Sequence, residues 1–321
     1  MSPITLSRRR LLQISAAGAA TLTTGAASAD NDGKVRLTWG NGLLPGIAKE
    51  RGEFERRLAG DGIRVEWLGP FISHAPSIQA VAGGSADFSF GGTASVALAA
   101  MIAGAPLLFA QFLTTEPRST AIVARDGIEN IQDLAGKSVA ANRSGVGEMV
   151  LMAALEKYGL DRSAVKIVYL SPADGGAAFA AGRVDAWSIW SPLADIAREK
   201  YKAHTIFLET EISIDIDFGG FVVARKFVDE HPETVRLVNA AYAAEAKWTE
   251  EHPREAGLIL QKKLGYSDAI RETLIAARRR TTVYGVQDAN FLERAQRSAD
   301  WLTAHGVLPS KIAVADHVAR I

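Results

Sequence analysis

Short β-branched and aromatic runs alternate with helix-period stretches along nearly the whole chain, and that alternation constrains the fold more than any other feature. Strand-like runs at 35–39, 63–68, 88–90, 107–112 and 120–124 are separated by helical patterns at 47–58, 75–82 and 95–103. The pattern repeats with runs at 138–141, 167–170, 186–190 and 205–208 and helices at 147–158, 175–181 and 192–201. Strand and then covering helix, many times over, builds a mostly parallel sheet flanked by helices. The run 218–224 then stands alone, and the remainder of the chain reads as helical throughout, at 233–250, 254–264, 268–280 and 288–305. One extended segment leading out of a first α/β lobe and another leading back predict two lobes joined by a hinge, with crossings near 121–125 and 219–225. Residues 30–122 with 222–321 are expected in lobe one, and 123–221 in lobe two.

The first residues read as an export signal rather than as part of either lobe. Ser7-Arg8-Arg9-Arg10-Leu11-Leu12 opens an apolar, Ala-rich stretch that closes on Ala27-Ser28-Ala29, predicting cleavage after residue 29 and a mature start near Asp30. The paired arginines predict the twin-arginine route and a periplasmic destination. The apolar stretch is shorter than the ~20 residues of a membrane span. Removing its three arginines from a chain with 36 basic and 36 acidic residues leaves a net charge of three negative. Such a balance draws neither nucleic acid nor an anionic membrane. The absence of cysteine excludes disulfides, thiol catalysis and thiolate metal sites.

Several turns suit an anion. Gly91-Gly92-Thr93 comes after a strand and opens a helix, which aims backbone N–H groups and the positive end of the helix dipole outwards. Thr93 also suits an ordinary N-cap. Asn142-Arg143-Ser144-Gly145-Val146-Gly147 is a second turn of this kind, in lobe two, where Arg143 can add a charge-assisted bond. Two helix N-termini facing across a cleft can grip one oxyanion from both sides. Trp187 and Trp190, three apart on a strand, face opposite ways; Trp190, nearer the C-terminal end of the strand, is expected on the cleft wall. Gly69, in the turn Leu68-Gly69-Pro70-Phe71, and Phe218, opening the lone strand, complete the expected lining. Asn41 and Gly42, after the first strand, are expected to add polar contacts.

Other patterns carry less. Gly40-x-Gly42-x-x-x-Gly46 departs by one residue from a dinucleotide fingerprint. The six histidines are scattered without ligand spacing, and there is no Gly-x-Ser-x-Gly elbow. Asp215 and Asp217 read as solvated hinge residues, and Arg278-Arg279-Arg280 as the cationic end of a helix.

Three longer stretches carry a family resemblance. They are Gly84-Ser85-Ala86-Asp87-Phe88 with Ala103-Gly104-Ala105-Pro106, then Asp133-Leu134-Ala135-Gly136-Lys137, then Gly182-Arg183-Val184-Asp185-Ala186-Trp187-Ser188-Ile189-Trp190. Together they resemble the periplasmic binding proteins for aliphatic sulfonates, nitrate and taurine, a group also related to pyrimidine-precursor binding proteins. The resemblance implies a type II periplasmic binding fold. It implies a monomer without cofactor that closes over a small organic anion, most simply an aliphatic sulfonate, and presents it to an ABC permease and ATPase. Nitrate or a pyrimidine precursor is the alternative solute, and a receptor is the alternative recipient of the closed form. Relatives usually read Lys-Gly-Ser where this chain has Arg143-Ser144-Gly145, and Trp-Asp-Pro where it has Trp190-Ser191-Pro192. Losing that carboxylate makes a taurine-like zwitterion a poorer fit. Pyrimidine-synthesising enzymes resemble the same fold but carry a cysteine-rich motif, so the chain is expected not to be an enzyme.

Overall fold

The computed structural model describes residues 33–40, 44–212 and 216–321. The expected signal, residues 1–29, lies outside them, as do Asn41, Gly42 and Asp215. The first lobe begins with β1 (Lys34–Thr38), α1 (Leu44–Arg51), α2 (Glu53–Ala59), β2 (Arg64–Leu68), α3 (His74–Ala82), β3 (Gly92–Thr93), α4 (Ala94–Ile102) and β4 (Leu107–Glu116). A single helix was expected over 47–58. Gly52, at φ 66°, breaks it into α1 and α2, because a left-handed residue cannot continue a right-handed helix.

The chain then builds β5 (Thr120–Ala124), β6 (Ser138–Ala141), α5 (Val146–Lys157), β7 (Lys166–Tyr169), α6 (Pro172–Ala180), β8 (Ala186–Trp190), α7 (Leu193–Tyr201) and β9 (His204–Leu208). These strands form one five-stranded sheet in the order β7-β6-β8-β5-β9. Strand β6 runs parallel to β7 and β8, while β5 runs antiparallel to β8 and β9. The chain returns through β10 (Gly219–Ala224), α8 (Arg225–Glu230), α9 (Pro232–Glu251), α10 (Pro253–Leu264), α11 (Asp268–Ala276), β11 (Arg280–Gly285) and α12 (Ala289–Ala304). Strands β11, β4, β10 and β3 pair in that order. Phe88 bridges Leu37 of β1 on one side and Val223 of β10 on the other, stitching the β1–β2 pair to this sheet.

Two expectations change here. Strand β5 lies whole in the second sheet and β10 whole in the first, so the crossings are 117–119 and 209–218, just ahead of the positions expected. Both strands are almost entirely buried, and a buried strand must belong to a sheet rather than span a hinge. The stretch after 224 is not all helix either. Helix α11 ends at Ala276, Arg278 turns the chain at φ 46°, and Arg280–Gly285 zips antiparallel onto Gln111–Glu116 of β4. No helix among the described residues is long and apolar enough to cross a membrane.

The largest apolar cluster joins the lobes, with Leu98 of α4, Met149 and Val150 of α5, and Phe291 and Leu302 of α12 all fully buried or nearly so. Polar ties reinforce it. Ser95 Oγ donates to Ser144 O at 2.5 Å, Ser144 Oγ to Val307 O at 3.1 Å and Trp301 Nε1 to Glu156 Oε2 at 3.2 Å.

Candidate functional site

Between the lobes lies a cleft of about 720 Å³, the size of a site for a small organic molecule. Helices α3, α4, α5 and α6 all bring their first residues to it, represented by Ser73 and His74, Thr93 and Val96, Val146, and Ser171 and Pro172. The first N–H groups of a helix have no partner within it, so such ends attract anions.

The lobe-one ends are held from behind. The His74 ring lies against Gly92, where an added Cβ would come within 2.5 Å of it, so position 92 admits only glycine's hydrogen. His74 Nδ1 lies 3.0 Å from Thr93 O and Nε2 3.1 Å from Ser89 Oγ. A carbonyl only accepts, which assigns the proton to Nδ1 and leaves Nε2 as acceptor. Burial draws the imidazole pKa down to about 4, against which the backbone bonds to Thr93 and Phe90 only partly pull, so the ring is neutral at physiological pH. Ala94 N donates to Phe218 O at 2.9 Å and fixes the start of α4. Among the described residues no side chain caps α3 or α4, and Thr93 does not act as the side-chain cap its residue type suits.

The lobe-two ends differ. Asn142 Oδ1 accepts from Gly147 N at 3.2 Å, and Ser171 Oγ accepts from Asp174 N at 3.2 Å. Both helices are therefore capped by their own chain. Arg143 projects beside them, its guanidinium 3.7 Å from the centre of the Tyr169 ring. Stacking holds the charge in place against an aromatic face. Buried Glu148 anchors that platform by accepting from the Tyr169 hydroxyl, from Arg162 at 3.0 Å and from Ser144 N at 2.6 Å.

Trp190 lines the cleft half-buried, while Trp187 is 4% exposed and lies under Gly175 and Gly176 of α6. Phe218 lines the cleft edge-on to Phe112 at 5.6 Å. Gly92, Thr93, Arg143, Trp190 and Phe218 thus meet in one cleft. Gly69, Ser144 and Gly145 do not line it. Gly69, at φ 132°, sits where a Cβ would come within 2.6 Å of Trp39 O, and its role is to let that loop pass. Ser144, at φ 53°, gives its hydroxyl to the lobe-one carbonyl of Val307. A Cβ on Gly145 would overlap the Asn142 amide that caps α5.

The floor of the cleft holds residues that no sequence pattern assigns to a site. Glu116, Arg118, Glu209, Asp217 and Arg279 converge there from the two crossings and from β11. Arg279 Nε donates to Pro117 O at 2.9 Å, and Arg118 Nε to Glu116 Oε1 at 3.2 Å. Glu209 is 2% exposed, and its Oε2 accepts from Thr120 N at 3.0 Å. Burial pushes the Asp217 carboxyl well above the usual carboxylate range, and neighbouring Glu209 raises it further while Arg118 and Arg279 oppose the rise. Desolvation draws the Arg279 pKa down, opposed by Glu209 and Asp217. Asp217 is accordingly no solvated hinge residue, and Arg279 ends no helix. The residues are far apart in sequence, so no local pattern announces the cluster. The α3 and α6 ends did leave signals, in Ser73 and in Ser171-Pro172.

Residues 47–256 match the family described as NMT1/THI5 like. The chain belongs to the NMT1/THI5-like family. Within it, the chain is 30% identical over 213 residues to a putative aliphatic sulfonates-binding protein of Bacillus subtilis (strain 168), covering 65% of this chain and 63% of that relative. A putative aliphatic sulfonates-binding protein of Escherichia coli (strain K12) is 24% identical over 315 residues, 97% of this chain and 96% of its own. Among solved structures, the alkanesulfonate-binding protein SsuA from Xanthomonas axonopodis pv. citri bound to MOPS superposes with a TM-score of 0.81 at 25% identity, over 89% of this chain and 98% of that one. The NMT1/THI5-like chain therefore has the two-lobed α/β fold of periplasmic binding proteins. The desulfurization enzyme DSZB, at TM-score 0.63 and 17% identity, shares the fold alone.

Proposed function

We propose that this NMT1/THI5-like chain is the periplasmic binding component of an ABC importer and closes over a small organic anion, an aliphatic sulfonate. The observation that carries the reading is the set of α3 and α4 first turns, uncapped among the described residues and facing Arg143 and Trp190 across one cleft. A sulfonate head presents several acceptors to N–H donors and a guanidinium, and its carbon part suits the flat indole and the apolar side chains of Val96, Leu113 and Phe218. Closure expels water from this polar end and strengthens each contact with the anion. A cleft of about 720 Å³ is far larger than nitrate needs, which favours an organic solute.

Binding without chemistry fits the same geometry. Both nitrogens of His74 are engaged by lobe-one groups, so its ring acts as a support and not as a free base. The proposed importer partners are a permease and an ATPase, and the proposed export route is the twin-arginine pathway signalled by Arg8-Arg9. A thermal-shift screen of the mature chain against sulfonates, sulfate esters, nitrate, taurine and pyrimidines tests the reading, because a ligand specific to the native state raises stability by RT ln(1 + [L]/Kd). Sulfonates should give the largest shifts. A shift confined to nitrate or to pyrimidines contradicts the assignment.

A further inference from the structure

The cleft does not end at the floor. A second cavity of about 230 Å³ opens from it under α10 and α11, and Gly91, Leu113, Leu264 and Arg279 line both spaces. Its walls are aliphatic, with Leu44, Ile47, Leu260, Leu264, Leu274 and Ile275 around it, and these side chains stay incompletely covered except Ile47. The charged side chains on its lining are Arg278 and Arg279, and among the described residues no carboxylate joins them. An apolar chamber with a cationic rim suits the tail of an anion and repels that of a cation.

The mouth lies beside the anion donors. Gly91 immediately precedes Gly92 and Thr93, and an added Cβ there would come within 2.5 Å of Leu113 Cδ2 and 2.9 Å of Phe221 Cζ. Glycine leaves that passage without a side chain of its own. A head group seated at the start of α4 therefore has the chamber opening next to it, and a chain attached to that head can run past Leu113 and Leu264 into the chamber.

We propose that this chamber is a tail subsite, and that the preferred solute is an organosulfonate with an unbranched alkyl chain of medium length. The proposal rests on the anion-binding reading above and names the part of the ligand which that reading leaves open. Burying each further methylene in the chamber should raise affinity about fourfold, until the space is filled.

Isothermal titration of the mature chain with the linear series from ethanesulfonate to decanesulfonate tests this. In the wild type, affinity should climb steadily through hexanesulfonate to octanesulfonate. Ile275→Trp and, independently, Leu260→Trp fill the chamber; each should keep ethanesulfonate affinity within about twofold and lose the gain from longer chains. A flat or falling series in a wild type that binds ethanesulfonate overturns the tail subsite and leaves the anion site standing. A climbing series that neither filled variant flattens, with both folded by circular dichroism, places the tail elsewhere and also overturns it. Failure of every sulfonate to bind overturns the anion reading itself, and the tail subsite with it.

Discussion

Lobe one brings α3 and α4 to the cleft without a side-chain cap among the described residues, whereas lobe two brings α5 and α6 already capped by Asn142 and Ser171. The same element is therefore put to different uses. In lobe one the backbone donors remain available, and a neutral buried imidazole, a glycine and the Phe218 carbonyl hold them rigid. In lobe two part of the donor set is already used within the chain, and what faces the cleft is a stacked arginine and an indole. Sequence alone suggests a symmetric grip by two helix ends. The structure supports an asymmetric one, with the anion seated on lobe one and covered by lobe two.

The largest effect should come from the support behind the lobe-one donors. His74 is neutral in the native state with a pKa of about 4, while the unfolded chain protonates it near its ordinary value of 6.5. The unfolded state thus takes up a proton first as pH falls, and the native state loses stability from about pH 6.5 down to about pH 4. At roughly 1.4 kcal/mol per pKa unit the loss is about 3 kcal/mol. Denaturant unfolding across that range should show it, and His74→Asn, which keeps an N–H donor for Thr93 O, should remove most of the slope. An unchanged slope in the variant would mean that His74 is not the titrating support.

Matched charges inserted in the two walls sharpen the contrast. Thr93→Asp places a carboxylate at the N-cap of α4, where it favours the helix but takes the donors meant for the solute. Affinity for a sulfonate should fall about 100-fold, or about 2.7 kcal/mol. Ala173→Asp does the same at the already capped α6 and should cost less than about tenfold. Equal losses in calorimetry would restore the symmetric grip.

Smaller changes belong to the covering wall. Trp190→Phe removes the indole N–H and should lower affinity by about 1 kcal/mol while removing most of the ligand-induced change in tryptophan fluorescence. Trp187→Phe, in the lobe-two core, should leave that change intact. Arg143→Met keeps the apolar stem over Tyr169 and should weaken binding by only about threefold to fivefold, less in high salt. A larger loss for Arg143→Met than for Thr93→Asp would reverse the roles of the two lobes.

Much of this contrast is legible in the sequence. The strand–helix alternation announces both sheets, and the spacing of Trp187 and Trp190 puts them on opposite faces. Gly91-Gly92-Thr93 marks the α4 end through its position after a strand-like run. Strand β11 is hidden because Arg278-Arg279-Arg280 resembles a helix end, although Thr281, Thr282 and Val283 carry a strand signal. Asn142 reads as part of a donor turn, yet its side chain is the cap that occupies that turn. The floor cluster cannot be read locally, because Glu116, Arg118, Glu209, Asp217 and Arg279 meet only through the two crossings and the pairing of β11 with β4. Gly69 and Gly145 look like ligand contacts because glycine in a loop signals close approach, and here the approaching groups are Trp39 O and the Asn142 amide.

The most direct test of the asymmetric grip is a crystal structure of the mature chain with octanesulfonate bound. The account predicts the sulfonate oxygens within hydrogen-bond distance of first-turn N–H groups of α3 or α4, Arg143 approaching from the other side and Asn142 still bonded to Gly147 N. Sulfonate oxygens seated instead on the N–H groups of α5 or α6, with Asn142 or Ser171 displaced from its cap, would contradict it.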